Sequence, residues 1–384
     1  MNSTTRLRQT MNRWLNRSAG ACTATAVPSM TATLRADVVE HRKLQGPARD
    51  PAYREQLEEF ARNPAVMLEL SSRCNFHCDY CRSPISDRQK STMSRELFNH
   101  LLPQVREMTQ RRLRLHIDGE PMLHPQFLEL CLDANREGFR IALASNASAL
   151  KNEHLAIDMD LFVHLSTSAE EHDRRSNGNF EHYLQRIQRY LQGWIEGPAT
   201  QEIELKIFFN ARESVNEELL RAKREFVADF ARRLGLETDR CWQPPDWNPE
   251  LCYRKPSGHG LHIRYQQTTE GGLYPNISGL HYPGALPKDW GFCDSPWKVL
   301  AVHSDGSVGF CCVDLSGKTI FTEPQEIWEK PLAWIWHQHP KLVEARRQFL
   351  AGHVILPICR ECLDASPNRE SYLFTEIFPG APTS

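Results

Sequence analysis

Three cysteines, Cys74, Cys78 and Cys81, follow directly on the apolar run Val66-Met67-Leu68-Glu69-Leu70, at the spacing Cys-x3-Cys-x2-Cys. A strand that opens into a tight loop can converge such thiols on one small centre. Three is an odd number of ligands. Structural zinc sites close with four protein ligands, and a [4Fe–4S] cluster held by protein alone takes four cysteines. The loop therefore implies an iron left open for a ligand that is not protein. The competing reading is zinc with His77 as fourth ligand. It requires a second ligand pair within about 20 residues, whereas the next cysteine is the solitary Cys131.

This spacing resembles the radical S-adenosylmethionine (SAM) superfamily. The resemblance implies that the three thiolates hold a [4Fe–4S] cluster whose fourth iron takes the amine and carboxylate of SAM. It also implies that Tyr80, the aromatic before the third cysteine, lies against the adenine.

The chain around the loop alternates between two periods. Asp50–Asn63 reads as a helix, with Pro51 at a tolerated first-turn position. Ser94 is placed to cap a helix whose apolar residues Leu97, Leu101, Val105 and Met108 recur at helical spacing. Strands are expected at residues 66–70, 113–117, 140–145, 161–166 and 203–209, and a weaker sixth near Thr238–Trp242. Helices are expected over residues 127–136, 152–159, 180–194 and 217–234. Strands alternating with helices of this length imply parallel βαβ units, an α/β fold. The count agrees with the partial (β/α)6 barrel of the family.

In such a sheet, ligands sit at the carboxyl ends of the strands. Asp118-Gly119-Glu120-Pro121 resembles the family's Gly-Gly-Glu-Pro motif, with Asp in place of the first Gly; Gly119, Glu120 and Pro121 are thereby expected to receive the SAM amine. Ser145-Asn146 is similar to the family's Thr-Asn segment. The resemblance places it and Ser166, at the next strand end, near the ribose or methionyl carboxylate. The plainer alternative is that these residues only turn strands into helices and cap them.

Residues 243–292 hold many Pro and Gly and read as an irregular connector. Beyond them, Ser304-Asp305-Gly306 separates two alternating apolar runs, a strong hairpin signal. Helical pieces follow between Trp328 and Leu350. The spacing Cys293…Gly306…Cys311 resembles the opening of a SPASM/twitch extension, which binds auxiliary iron–sulfur clusters. With Cys359 and Cys362, it implies one auxiliary [4Fe–4S] cluster with a complete cysteine shell. Structural zinc on the same four thiols remains open, since spacing does not separate the two metals. Of the remaining cysteines, Cys131 reads as a small buried hydrophobe. Cys241 and Cys252, where barrel meets connector, are candidate hydrogen-atom donors.

A net charge of −2 leaves no electrostatic footprint for nucleic acid or a membrane surface. No apolar run approaches the ~20 residues of a transmembrane helix. Twelve cysteines without a secretory signal fit a reducing, cytoplasmic setting. The organisation expected is a basic, flexible extension over 1–49, a radical SAM core over 50–242, a connector over 243–292 and an auxiliary-cluster domain over 293–384. The resemblance implies reductive cleavage of SAM to a 5′-deoxyadenosyl radical that abstracts hydrogen from a C–H bond. The substrate expected is small and polar, sugar- or aminocyclitol-like, and the outcome a net oxidation. A radical SAM epimerase, a peptide-modifying enzyme and a non-enzymatic iron–sulfur or zinc protein are the alternatives. An external electron donor such as flavodoxin or ferredoxin is implied.

Overall fold

The structure is a computed structural model that describes residues 51–78, 81, 83, 86, 88–209, 216–236, 249–267, 293–311, 314, 316–351, 353 and 356–359. The expectations for residues 1–49, Tyr80, Thr238–Trp242, Cys241 and Cys362 lie outside the described residues.

Helix α1 (Pro51–Arg62) leads into β1 (Ala65–Leu68), and the cysteine loop leads on to α2 (Arg95–Met108) and β2 (Leu113–Arg114). There follow α3 (Phe127–Arg136), β3 (Ile141–Ser145), β4 (Met159–His164), α4 (Ala169–Arg175), α5 (Phe180–Glu196), β5 (Glu202–Phe209) and α6 (Glu217–Arg233). The chain continues through β6 (Pro249–Arg254), β7 (Gly260–Gln267), α7 (Ser295–Lys298), β8 (Val299–Val302) and β9 (Val308–Gly309). Helices α8 (Glu326–Glu329), α9 (Leu332–Gln338) and α10 (Pro340–Leu350) follow. The nine strands among the described residues join one sheet in the order β6-β7-β5-β4-β3-β2-β1-β8-β9. Strands β1 to β5 and β7 run parallel as the six strands of a partial (β/α)6 barrel.

Local signals explain most of these elements. Ser94 caps α2 as its position predicts, its Oγ accepting from the Leu97 N–H at 3.0 Å. The apolar stripe of α2, Leu97, Leu101, Val105 and Met108, is buried. Each such side chain contributes roughly 1.5–3 kcal/mol on leaving water. Gly138, at φ +81°, stops the turn after α3. The predicted hairpin forms between β8 and β9, with Gly306 at φ +95° in its turn. Two short elements replace longer expectations: β2 covers only Leu113–Arg114, and Asn152–Ala156 is a single 3-10 segment.

One expectation is corrected. Residues 249–267 lie inside the stretch read as irregular, yet they form the antiparallel pair β6–β7, and β7 is the sixth parallel strand. The density of Pro and Gly obscured a strict alternation. Leu261 and Ile263 point into the core and His262 and Arg264 to the other face. Pro249 is tolerated because β6 is an edge strand and Pro249 its first residue.

The sheet has two unlike faces. Leu68, Leu113, Leu143, Leu161, Ile203 and Leu261 pack with the helices in the main core. The opposite, inner face holds a small apolar cluster, Met67, Ile117, Val299 and Ala301, beneath β1 and β8. Farther round, strand registers put polar residues on that face: Arg114, His116, Asp160, His164, Glu204, Lys206, His262 and Arg264.

Candidate cofactor site at the carboxyl ends of the strands

Strands β4, β3, β2, β1 and β8 are consecutive and parallel, so their carboxyl ends share one rim. The cysteine loop leaves β1 at this rim. Cys74, Cys78 and Cys81 are half-buried there. Each sulfur accepts a hydrogen bond: Cys74 from Phe76 N at 3.4 Å, Cys81 from Ser83 N at 3.4 Å, and Cys78 from Arg175 Nε at 3.3 Å. Asn146 Nδ2 lies 3.7 Å from the Cys74 sulfur as well.

Burial pushes the Cys74 and Cys81 thiols up to about 12, and the neighbouring thiols and the Asp118 carboxylate add to it. Three crowded sulfurs, each offered an N–H, with those of Cys74 and Cys81 held back from ionising by burial, suit a cationic centre that draws off protons. Hydrogen bonds to the sulfurs are also what iron–sulfur thiolates receive. Among the described residues, no three His, Cys, Asp or Glu side chains converge on a single metal ion. A cluster differs in that each cysteine ligates its own iron.

The next strand ends are locked to this loop. Glu120 donates its backbone N–H to Arg73 O at 2.8 Å, and Gly119, at φ +73°, sits directly on the loop backbone. A Cβ at Gly119 would lie 2.4 Å from Ser71 O, so glycine is required on both counts. Asp118, where the family motif has glycine, turns its carboxylate to Lys90 Nζ at 2.6 Å and to its own Gly119 N–H at 2.7 Å. The Glu120 carboxylate is almost fully buried and accepts from Met122 N, Ser145 Oγ and Asn146 N at 3.0, 2.9 and 2.6 Å. Burial raises its pKa to about 7, outweighing those three bonds. Ser145, the last residue of β3, and Asn146 are thereby brought against Glu120. Ser166, beyond β4, is fully buried and accepts from Arg175 Nη1 at 2.8 Å.

Several residues at the rim escaped the sequence reading. Glu69 sits in an apolar strand run, and a buried charge there must be paired; that signal was available. Its carboxylate accepts from Asp118 N at 3.1 Å, Ser304 N at 3.0 Å, Ser304 Oγ at 2.8 Å and the Arg88 guanidinium at 2.5 and 2.8 Å. Burial opposes its charge, but His303 and Arg88 hold the carboxyl well below its ordinary range. Glu69 thus ties the ends of β1 and β2 to the segment after β8. Arg175 gave no sequence signal, being one of several charges on a short helix.

The auxiliary cysteines are only partly visible. Cys293 precedes α7, Cys311 follows β9 and Cys359 lies in the helical residues 357–359; all three are half-buried against the main core. Ser295 Oγ donates to Phe310 O at 2.7 Å, holding the first two segments together. Cys131 is fully buried, as expected of a small hydrophobe. Cys252 falls on β6 opposite His262, near the amino end of β7 and away from the rim. A place where barrel meets connector does not bring Cys252 to the rim, because the antiparallel β6 runs back down the sheet. No helix among the described residues is long and apolar enough to cross a membrane.

The chain matches the model of the radical SAM superfamily over residues 68–196 and that of the SPASM iron–sulfur cluster-binding domain over residues 293–363. It is 27% identical over 102 residues to a tungsten-containing aldehyde ferredoxin oxidoreductase cofactor-modifying protein of Pyrococcus furiosus, covering 26% of this chain and 28% of that one. It is 33% identical over 93 residues to a PqqA peptide cyclase of Streptomyces rochei, covering 23% of this chain and 25% of that one. The chain thus spans about a quarter of the length of the curated relatives it matches. Among solved structures it is similar to SuiB of Streptococcus suis bound to S-adenosylmethionine, with a TM-score of 0.48, 12% identity and coverage of 89% of this chain and 79% of that one. It is also similar to BtrN in complex with AdoMet and 2-DOIA, with a TM-score of 0.43, 16% identity and coverage of 78% and 92%. With the cysteine loop, the parallel strand ends and both domain models in agreement, the chain belongs to the radical SAM superfamily and carries a C-terminal SPASM extension, with [4Fe–4S] clusters and SAM as its cofactors.

Proposed function

We propose that this protein uses SAM to abstract hydrogen from a C–H bond of a polar substrate held against the inner face of the sheet, in a net oxidation. The observation that carries the reading is the rim itself: three cysteine sulfurs, each with an N–H donor, beside the buried carboxylate of Glu120. When bound, the reduced cluster and SAM supply a 5′-deoxyadenosyl radical, which takes the hydrogen. The chain's own residues bind, orient and keep water out. Cys74, Cys78 and Cys81 hold the cluster. Gly119, Glu120 and Pro121 form the place for the SAM amine, because a buried carboxylate raised to about 7 is restored to its charged form by an adjacent ammonium group. Ser145, Asn146 and Ser166 surround the ribose and carboxylate, and Tyr80 the adenine. Cys293, Cys311, Cys359 and Cys362 would hold the auxiliary cluster, which would supply a one-electron acceptor for the oxidation. A flavodoxin- or ferredoxin-type donor supplies the first cluster, in a cytoplasmic setting.

A small polar substrate is supported by the polar inner face, where His164, Lys206 and Arg264 stand in register on adjacent strands. A second reading, modification of a peptide, is supported by the similarity to PqqA peptide cyclases. The test is anaerobic turnover with dithionite, following 5′-deoxyadenosine. A panel of sugars and aminocyclitols should raise its release, and peptides encoded beside the gene should not. The reverse result establishes the peptide reading. Absence of 5′-deoxyadenosine under every condition overturns both.

A further inference from the structure

Arg175 ends the short helix α4, is fully buried, and spends its fork of donors on four different groups. Nε donates to the Cys78 sulfur at 3.3 Å, Nη1 to Ser166 Oγ at 2.8 Å and Glu171 Oε1 at 3.4 Å, and Nη2 to His164 O at 3.1 Å. Its own carbonyl accepts from His77 N at 2.8 Å, so the cysteine loop is held to it at the backbone too. The Phe76 ring lies 5.7 Å below the guanidinium and keeps water from it. Glu171 is itself shared, accepting from Lys223 Nζ at 3.1 Å and Thr167 Oγ1 at 2.7 Å.

We propose that Arg175 is a positioning residue that raises the reduction potential of the cluster held by Cys74, Cys78 and Cys81, acting through the Cys78 sulfur. The inference rests on the assignment of those cysteines as cluster ligands. Reduction adds one electron to the cluster, from a one-electron, low-potential reductant, and no proton is needed. The added charge is delocalised onto the thiolate sulfurs. An N–H donor to a sulfur, and a positive charge beside it in a water-poor site, both stabilise the reduced form more than the oxidised one. A guanidinium is suited to this because it cannot lose its proton. Glu171 partly offsets that charge, so the pair sets the potential jointly: loss of the cation moves it one way and loss of the anion the other.

The test is a redox titration of the reconstituted full-length protein, read by electron paramagnetic resonance. The auxiliary signal is identified from a variant with Cys74, Cys78 and Cys81 all changed to Ala. Arg175→Gln should leave iron content intact and lower the potential, with about a tenfold loss in stability of the reduced form reading as 59 mV for one electron. Arg175→Lys, which keeps the charge and loses the Nε–H, should fall between. Glu171→Gln should shift the potential in the positive direction, and it keeps the proposal testable should Arg175→Gln fail to take up iron. A purely structural clamp predicts potentials that do not move, or that move the same way in both variants. Either result overturns the proposal, as does a loss of SAM binding at an unchanged potential. Failure of the triple Cys variant to lose iron would instead sink the cluster assignment beneath it.

Discussion

Changing Gly119 to Ala should damage the cofactor site more than it damages the fold. The left-handed backbone at φ +73° costs an alanine about 1–2 kcal/mol. The added methyl would meet Ser71 O, Ser72 C and Arg73 O at 2.4, 2.5 and 2.7 Å. All three are backbone atoms, so no rotamer change relieves them, and ordinary contact requires the loop to retreat by about 1 Å. Overpacking of that kind costs roughly 1–3 kcal/mol, bringing the sum to about 2–5 kcal/mol of a total near 5–15. The displaced residues run directly into Cys74. The assay is thermal unfolding of the reconstituted protein together with iron content and SAM-cleavage rate. The midpoint should fall by roughly 3–7 °C, and cleavage by about 100-fold, since a 1 Å misplacement has that effect on a reacting geometry. Gly235→Ala is the control, because its φ of +67° imposes the backbone cost while a Cβ there meets nothing within 4 Å. Equal effects of the two substitutions on SAM cleavage would refute the close approach as the cause.

Glu69→Gln should cost about 3–5 kcal/mol by taking away the bidentate counter-charge of buried Arg88 and leaving it only the Asp118 carboxylate at 3.5 Å, read as a lower denaturant midpoint and earlier proteolysis after β8. Because the folded state holds the Glu69 carboxyl below its ordinary range, that stability is present above the unfolded pKa and lost as pH falls through the folded one. Wild type should therefore lose its advantage over Glu69→Gln in acid; a gap that stays constant down to strong acid would contradict this. SAM affinity should rise with pH between about 6 and 7.5 as the Glu120 carboxyl ionises near 7, and Glu120→Gln should flatten the profile. Calorimetric titration checks both, and a flat wild-type profile rejects the amine assignment. Reconstituted protein should bind roughly eight irons, and half of that after loss of the first three cysteines. One tightly bound zinc in place of four of those irons would remove the auxiliary cluster. In heavy water with the true substrate, an oxidation should place no deuterium at the reacting carbon and tolerate Cys241→Ala and Cys252→Ala. Deuterium at an inverted carbon would establish epimerisation instead.

Much of this arrangement was legible in local signals. The strand preceding Cys74, the Ser94 cap and the Asp305-Gly306 hairpin each depend on a few neighbouring residues, and they stand where those residues put them. What stayed hidden is what the sheet assembles from afar. Arg175 reaches Cys78 only because the sheet sets β4 three strands from β1 on the same rim, and nothing near Arg175 in sequence announces a sulfur. Strand β7 was masked by local chemistry, since Gly258, Gly260 and Pro256 outweighed the alternation from Leu261 to Arg264. Asp118 departs from the family's motif for a reason no alternation reveals: Lys90 on the returning loop supplies its partner.

The pairing of β8 with β1 bears on how the molecule is made. Ala65 lies beside Val299, so one flank of the first strand has no partner until the last third of the chain has left the ribosome. Until then β1 presents a row of unpaired amides next to the nascent cysteine loop, the kind of edge that recruits other chains. A chain shortened before residue 293 would keep that edge permanently. Such a truncation should aggregate during synthesis rather than yield a smaller working enzyme, because closing so distant a contact is also a slow step in folding.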